Sequence, residues 1–344
     1  YIQRFYGKII VVKYGGAAMS DESLKRGFAR DIALMKLVGM KPVIVHGGGP
    51  QIARELKKAG VISDFQSGHR ITDKATMAVV KKVLGIQVNN EISSLISKSG
   101  AQSKGLNFKN SKIVRASKLI NESGLDLGLV GQVDKINTRE IKNLILQDIV
   151  PVISPIGLDK KSQYLNINAD SVAGKVAESL SAEKLILLTD VKGITDKKGK
   201  LLSKISSAKA NKILKNGIVK GGMVPKLIAA VEAAKSGVSS AHIIDGRVPH
   251  AVMLEILTKE MPDLSITLSK SIGGMGLLER ENAAIINASL RPLAAEVIDS
   301  FKLLQNSLDL SCPMFFTRND GTLIEAKEVV ELPVLTFACG PTNS

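Results

Sequence analysis

The chain has 344 residues, of which 44% are hydrophobic, so it is long enough to bury one large core or two modest ones. Its formal net charge of +15 could indicate nucleic-acid binding, but only 3% of the residues are aromatic and the lysines are scattered over predicted helices. We therefore expect no nucleic-acid partner, although a basic nucleic-acid-binding protein with strongly salt-dependent affinity stays an alternative.

Other features of the composition bear on location and metal binding. No apolar run is long enough to cross a bilayer, and the first residues have no signal-peptide pattern. The two cysteines, Cys312 and Cys339, lack the spacing of a zinc site. We expect a cytoplasmic protein, or a plastid stromal one in a photosynthetic eukaryote, with no membrane partner and no metal site of its own.

The first part of the chain alternates apolar runs with amphipathic stretches. β-branched residues bounded by glycine predict a strand over 8–14, and apolar residues at helical spacing predict a helix over 21–39. A second strand over 41–49 is followed by a helix that begins at Pro50. This βαβ unit predicts two parallel strands.

The same alternation continues to about residue 259. We predict one long helix over 75–100, a turn-rich middle that contains short strands, and then buried strands and helices at 148–157, 183–191, 224–237, 239–246 and 248–257. This pattern predicts a three-layer α/β/α sandwich with a mainly parallel central sheet. Ligands are expected beyond the carboxyl ends of its strands.

The composition changes near residue 260. Residues 261–344 contain 6 Lys and Arg against 10 Asp and Glu, whereas the preceding part is strongly basic. We expect a strand over 262–269, a long helix over 281–308 and a hairpin over 312–326 that turns at Asn319, Asp320 and Gly321. The end of the chain is therefore predicted to be a small α+β segment.

Glycine loops follow the first two predicted strands. Lys13 ends the first strand and precedes Gly15 and Gly16, and a second loop contains Gly48 and Gly49. Glycine lets backbone amides approach an anion, and the following helix offers its positive N-terminus. One such loop alone is more often a plain turn. Two loops at the same sheet edge favour an anion site.

Polar side chains occur beside other predicted elements. Asn166 and Asp170 precede or begin a helix, where they can be capping residues or can bind a polar substrate and hold a lysine. Lys226 lies in the first turn of a helix, where a cation opposes the helix dipole unless an anion lies beside it. Thr189 and Asp190 end a buried strand and suit nucleotide contacts.

Arg70 has a planar fork suited to a carboxylate, although an isolated arginine is usually a surface residue. The sequence has no P-loop motif, no protein-kinase motifs and no obvious general base. A reaction that needs only positive charge and positioning fits these groups. Phosphoryl transfer to an acceptor that is already ionised, such as a carboxylate, is such a reaction.

Seven motifs in this order resemble the amino acid kinase family, and within it the kinases of N-acetyl-L-glutamate: VVKYGGAAM, VIVHGGGPQI, GHRITD, LGLVGQV, LNINAD, LLTDVKGI and KGGMVPK. The resemblance covers residues 1–259. It implies ATP-dependent phosphorylation of the γ-carboxylate of N-acetyl-L-glutamate in arginine biosynthesis. Another small-acid kinase of the same fold, or a non-catalytic nucleotide or arginine sensor or assembly protein, stays an alternative.

The resemblance also implies roles for the residues. Lys13 and Lys226 would neutralise the transferred phosphoryl group and the leaving ADP, and Asp170 would position both lysines. The remaining implied contacts are to acceptor (Gly48, Gly49, Arg70, Asn166) and to phosphate or nucleotide (Gly15, Gly16, Thr189, Asp190). Mg²⁺ would be carried by ATP.

The resemblance further implies an acceptor-binding part over 1–175 and a nucleotide-binding part over 176–259. YIQRFYGK and HIIDGRVPHAVMLEIL resemble arginine-inhibited, hexameric members, so we expect a homo-oligomer, a dimer or hexamer, and a regulatory protein as a further partner. Residues 261–344 resemble an internal segment of the hydantoinase A/oxoprolinase family, and we expect no independent activity from them.

Overall fold

The computed structural model describes residues 5–19, 21–66, 68–120, 126–196, 199–260 and 277–336. The chain divides into two compact units, Tyr1–Ile256 and Leu257–Ser344, and the division lies near the predicted change in composition. None of the helices in these ranges is long and apolar enough to cross a membrane.

Within the described residues up to 260, twenty-one strands and α-helices follow one another. They are β1 (Ile9–Tyr14), α1 (Glu22–Leu37), β2 (Lys41–His46), α2 (Gly49–Lys58), β3 (Phe65–Gln66), β4 (His69–Arg70), α3 (Lys74–Lys82), α4 (Asn89–Lys98), β5 (Ser103–Leu106), β6 (Val114–Lys118), β7 (Val130–Ile136), α5 (Arg139–Leu146), β8 (Val150–Ile153), β9 (Ile156–Leu158), β10 (Tyr164–Ile167), α6 (Ala169–Ser179), β11 (Lys184–Thr189), α7 (Ser207–Lys215), α8 (Met223–Lys235), β12 (Ser240–Asp245) and α9 (Ala251–Glu260).

Six parallel strands form the large sheet, in the order β12-β11-β1-β2-β8-β5. Consecutive residues of its central strands are buried, including all six of β11, so helices cover both faces. Val11 lies opposite Leu185 on one side and Val43 on the other, and all three belong to one hydrophobic core cluster. The predicted three-layer α/β/α fold is confirmed.

A smaller closed sheet of β10, β7, β6 and β9 accounts for the turn-rich middle of the sequence. The single strand predicted over 148–157 is wrong, because the chain changes sheets there. The ladder between β8 and β5 ends when Ser154 N donates to Leu106 O, and Pro155 has no N–H to extend it. Pro155 O instead accepts from Ile167 N, and β9 pairs with β10.

The long helix predicted over 75–100 is continuous but not uniform. α3 and α4 are joined by a π-helical segment, Val83–Val88. Gly85 in this segment lies against Phe108, so close that a Cβ atom would be 2.3 Å from the ring. Helices α5 and α7 were not predicted, because they are short and lie in stretches that read as turns.

The second unit contains α10 (Leu277–Ser307), β13 (Phe315–Thr317), β14 (Leu323–Glu325) and α11 (Ala326–Glu331). Strands β13 and β14 pair in antiparallel fashion, so the predicted long helix and hairpin are both confirmed. Ile298, Ile324 and Val329 form a small core of this unit. The strand predicted over 262–269 lies outside the described residues.

Candidate active site

The carboxyl ends of four parallel strands meet at one edge of the large sheet. Tyr14 at the end of β1 lies opposite His46 at the end of β2, and Thr189 at the end of β11 lies opposite Asp245 at the end of β12. β1 also pairs with β11, so the loops that follow all four strands start side by side. This is the edge at which open parallel sheets bind ligands.

Asp170 joins Lys13 and Lys226 at this edge. Asp170 Oδ1 lies 3.0 Å from Lys13 Nζ, and Asp170 Oδ2 accepts a hydrogen bond of 2.9 Å from Lys226 Nζ. The exposed fractions of the three side chains are 7% for Lys13, 5% for Asp170 and 12% for Lys226. The structure therefore brings the three predicted catalytic residues into one buried cluster with an excess of positive charge.

The pKa values in this cluster follow from burial and from the neighbouring charges. Burial alone would raise the pKa of Asp170, but Lys13 and Lys226 outweigh it and hold the pKa of this carboxyl below its usual range. Burial lowers the pKa of Lys13. The charge of Lys226 lowers this pKa further, whereas the carboxylate of Asp170 raises it without cancelling the effect of burial. Asp170 is therefore an ionised partner for both lysines near neutral pH.

Two helix N-termini place this cluster. Asn168 is the N-cap of α6, and its Oδ1 accepts hydrogen bonds from the amides of Asp170 and Ser171 at 2.8 and 3.4 Å. Asp170 thus lies in the first turn of α6, where the helix dipole favours a carboxylate. Lys226 lies in the first turn of α8, and its bond to Asp170 offsets its unfavourable position on the dipole.

The glycine loops lie directly over Lys13. A Cβ atom on Gly15 would be 3.1 Å from Lys13 Nζ, and one on Gly47 would be 3.8 Å from Gly15 Cα. Gly16 has a φ of +70°, which suits glycine. A side chain at Gly15 would cover the lysine ammonium, so glycine here keeps that charge accessible to a ligand.

A cavity of about 180 Å³ opens beside Lys13 and Asp170. Its polar lining includes all four predicted acceptor-binding residues: Gly48, Gly49, Arg70 and Asn166. Its apolar lining includes Ile52, Leu84, Val130 and Pro155. The combination of apolar walls with an arginine and an amide suits a small carboxylic acid.

Arg70 and Asn166 are held by neighbouring groups. The Arg70 guanidinium stacks on the ring of Phe65, with 4.4 Å between Cζ and the ring centroid. Asn166 Nδ2 donates to Thr72 Oγ1 at 3.1 Å, and the Thr72 hydroxyl donates to the carbonyl of Arg70 at 2.7 Å. Within the described residues Arg70 makes no ion pair, so its charge is available to a ligand.

The predicted nucleotide residues lie elsewhere on the same edge and do not line the cavity. Thr189 is buried, and its hydroxyl lies 3.4 Å from the sulfur of Met223, the first residue of α8. Asp190 is exposed. Beside it, Arg247 binds Asp245 with 2.9 and 2.7 Å hydrogen bonds. Lys226 also lies outside the lining and reaches Asp170 from the side of α8.

Several residues of the site have no local sequence signal. Leu84 and Val130 lie in the middle of a helical stretch and a short strand, and only the fold brings them to the cavity. Thr72 lies within the GHRITD motif and Phe65 lies just before it, so the neighbours of Arg70 in the sequence are the signal that could have identified both residues.

Known proteins share the sequence and the fold of this chain. The sequence pattern of the amino acid kinase family matches residues 8–245. The acetylglutamate kinase of Hydrogenovibrio crunogenus is 52% identical over 269 residues, which cover 76% of this chain and 90% of that protein. The crystal structure of smu.665 from Streptococcus mutans UA159 is 32% identical, with a TM-score of 0.63, over 69% of this chain and 94% of that chain.

N-acetylglutamate synthase from Neisseria gonorrhoeae, complexed with coenzyme A and N-acetyl-glutamate, has a TM-score of 0.67 at 22% identity and shares the fold. The matched region covers 75% of this chain and 59% of that chain. The similarity of residues 261–344 to hydantoinase A/oxoprolinase stays a prediction. Because the family pattern covers most of the chain and the acetylglutamate kinase is about half identical to it, the chain is a kinase and belongs to the amino acid kinase family.

Proposed function

We propose that the cavity is the acceptor site of an acetylglutamate kinase, which transfers the γ-phosphoryl group of ATP to the γ-carboxylate of N-acetyl-L-glutamate in arginine biosynthesis. One observation carries this proposal. Two lysines share a single buried carboxylate beside a cavity sized for a small acid, so positive charge is concentrated where an anionic phosphoryl group would be transferred.

The reaction needs no general base. An oxygen of the ionised γ-carboxylate attacks the γ-phosphorus of ATP, the bond from that phosphorus to the β–γ bridging oxygen breaks, and ADP leaves with the electron pair. The product is an acyl phosphate. Negative charge spreads over the phosphoryl oxygens and the leaving ADP, and the ammonium groups of Lys13 and Lys226 stabilise it.

Asp170 acts as a positioning residue in this proposal. It neutralises one of the two lysine charges in the free protein, so both ammonium groups can stay in a buried site without ATP. Lys13 approaches from β1 and Lys226 from α8, so the carboxylate also sets the spacing of the two cations.

The acceptor lies in the cavity. Arg70 would bind the α-carboxylate through its fork, and the amide of Asn166 would bind a polar atom of the acetylated amine. Gly48 and Gly49 would hold the end of the acceptor that receives the phosphoryl group, with Gly15 and Gly16 on the phosphate side. The two glycine loops follow the neighbouring strands β1 and β2, which supports a shared anion site.

The nucleotide would lie along the ends of β11 and β12, near Thr189 and Asp190. This gives an acceptor part over 1–175 and a nucleotide part over 176–259. We propose that Mg²⁺ enters with ATP, since both oxygens of Asp170 already contact lysines. We also propose a cytoplasmic homo-oligomer, a dimer or hexamer with a regulatory partner, on the resemblance of residues 1–8 and 242–257.

ADP release from MgATP tests the proposal. N-acetylglutamate, glutamate, aspartate and UMP would be compared as acceptors, with Lys13→Met and Lys226→Met, and with Lys209→Met as a control at an exposed lysine of α7. We expect turnover with N-acetylglutamate that is lost in the first two variants and kept in the third. Folded protein that binds ATP but turns over none of the acceptors would contradict the proposal and favour a sensor.

A further inference from the structure

A chain of buried polar side chains lies behind the second glycine loop. His46 is the last residue of β2 and is fully buried, with its Nδ1 2.8 Å from the carbonyl oxygen of Gly47. Its Nε2 lies 3.1 Å from Asn89 Nδ2, and Asn89 is also fully buried. Neither side chain lines the cavity. A histidine and an asparagine buried this completely must find their hydrogen-bond partners within the protein.

The orientation of the Asn89 amide is determined from two sides. Its Nδ2 lies 2.9 Å from the carbonyl oxygen of Val152, which can only accept. On the other side, the backbone N–H of Lys109 donates to Asn107 Oδ1 at 3.0 Å, which turns Asn107 Nδ2 toward Asn89 Oδ1 at 3.3 Å. Both neighbours therefore require the same placement of nitrogen and oxygen in Asn89.

This orientation determines the proton position on His46. One hydrogen of Asn89 Nδ2 is bound to Val152 O, and the other points to His46 Nε2, which must accept it. The ring proton then belongs on Nδ1, from which it is donated to the carbonyl of Gly47. The hydrogen bonds thus run in one direction, from Asn107 through Asn89 and His46 to Gly47.

The hydrogen bond to Gly47 orients a peptide of the glycine loop. In a trans peptide the C=O and N–H point in opposite directions, so a carbonyl of Gly47 held toward His46 directs the N–H of Gly48 away from the buried ring. The amide of Gly47 donates to Tyr14 O at 2.7 Å and anchors the other side of the loop. Gly48 is the N-cap of α2 and lines the cavity beside Lys13.

We propose that His46 and Asn89 are positioning residues that hold the Gly47–Gly48 peptide so that the N–H of Gly48 is aimed at the anionic oxygens of the transfer site. This inference rests on the proposed kinase function. It assigns the loop a preorganised donor, and such donors stabilise developing negative charge because they need no reorganisation during the reaction. His46 itself touches neither substrate.

The surrounding chain is built to admit this arrangement. A Cβ atom on Gly105 would be 2.1 Å from Asn89 Oδ1, so glycine in β5 lets the amide lie flat against the sheet. Asn89 directly follows the π-helical segment Val83–Val88, and Leu84 of that segment packs against Gly48. Burial lowers the pKa of His46 to about 4, so the ring stays neutral and its donor pattern does not change near neutral pH.

The tautomer of His46 can be determined by NMR, without an enzyme assay. In ¹⁵N-labelled full-length protein, we expect the His46 ring to carry its proton on Nδ1 and to stay neutral down to about pH 5. The resonance would be identified by its loss in His46→Asn. A proton on Nε2, or protonation near the usual histidine pKa of about 6.5, would overturn the proposal.

Kinetics of a matched pair test the positioning role. In His46→Asn the amide nitrogen can occupy the place of Nδ1 and donate to Gly47, whereas in His46→Gln the longer side chain places its amide near Asn89. We expect His46→Gln to lower kcat about 10- to 100-fold with KM for ATP changed less than about threefold, and His46→Asn to keep kcat within about threefold.

Thermal unfolding of both variants separates positioning from folding. Equal loss of kcat in the two variants, or loss that follows their melting temperatures, would overturn the proposal. Turnover of N-acetylglutamate by the unaltered protein checks the kinase function separately. If the unaltered protein has no turnover, the kinase proposal fails, and the tautomer alone decides whether the hydrogen bonds run as assigned.

Discussion

Asp170 Oδ2 accepts a 2.9 Å hydrogen bond from Lys226 Nζ, and this bond joins the first turn of α6 to the first turn of α8. The other oxygen of Asp170 faces Lys13 at the end of β1. Three separate elements therefore converge on one carboxylate. The site depends on this convergence, because removal of the carboxylate would leave both lysines as uncompensated buried charges.

The substitution Asp170→Asn tests this dependence. An amide keeps the shape of the side chain but cannot neutralise either lysine, so we expect the free energy of unfolding to fall by about 3–5 kcal/mol and kcat by at least about 100-fold. Urea unfolding and steady-state kinetics would measure both. As a control, Asp148→Asn removes an exposed carboxylate that pairs with Lys36 and Lys41 and should cost less than about 1 kcal/mol. Equal effects of the two substitutions would contradict the role of Asp170.

The substitution Gly15→Ala tests whether the first loop must leave Lys13 uncovered. The added methyl group would lie 3.1 Å from Lys13 Nζ and would displace the ammonium or block its ligand. We expect kcat to fall at least about tenfold while the protein stays folded, since each tenfold change corresponds to about 1.4 kcal/mol of barrier.

Gly27→Ala is the matched control for this variant. Gly27 lies within α1, and its added methyl group would meet only His250 Cε1 at 3.9 Å, an ordinary contact. Alanine favours a helix over glycine by about 0.5–1 kcal/mol, so this variant should be as active and at least as stable as the original. Full activity of Gly15→Ala would show that the loop does not act on Lys13.

Arg70→Lys tests the acceptor side of the cavity. Lysine keeps the charge but loses the planar fork and its stacking on Phe65. We expect KM for N-acetylglutamate to rise about 10- to 100-fold and KM for ATP to change less than about threefold. Arg115→Lys, at an exposed position of β6, should leave both values unchanged. A selective rise in KM for ATP would place Arg70 on the nucleotide side instead.

The stability of the protein should depend on His46 in mild acid. Because burial lowers its pKa to about 4, folded His46 binds a proton more weakly than the unfolded chain does, and protonation favours unfolding. Its contribution is complete above about pH 6.5 and is lost as the pH falls toward 4, which amounts to about 2 kcal/mol by pH 5. Urea unfolding at pH 6.5 and near pH 4 would measure this change, and we expect the free energy of unfolding to depend less on pH in His46→Asn than in the original protein. An identical pH dependence of stability in the two proteins would contradict a buried, neutral His46 ring.

Much of the fold follows from local patterns, and the errors have physical causes. The parallel strands and their helices are predicted by apolar periodicity because each is buried along most of its length. The break between β8 and β9 was missed because VPVISPIG is apolar apart from Ser154, and only the end of the partner strand shows where the ladder stops.

The candidate site was less predictable. Lys13 and the glycines are visible as a motif at a strand end, but the contact of Asp170 with Lys226 joins residues 56 positions apart and depends on the packing of α6 against α8. Leu84 of the apolar lining lies in the π-helical segment and Asn89 directly follows it, and VLGIQV gives no signal for such a segment. Sequence patterns report the elements, whereas the fold decides which of their side chains meet.

Trapping of the acyl phosphate with hydroxylamine tests the central claim most directly. The full chain would be incubated with MgATP, N-acetylglutamate and hydroxylamine, and the hydroxamate would be measured beside ADP. We expect hydroxamate and ADP in equal amounts, both reduced at least about 100-fold in Lys13→Met and Lys226→Met. ADP released without hydroxamate, or hydroxamate formation that survives the loss of either lysine, would contradict transfer to the carboxylate by this pair of lysines.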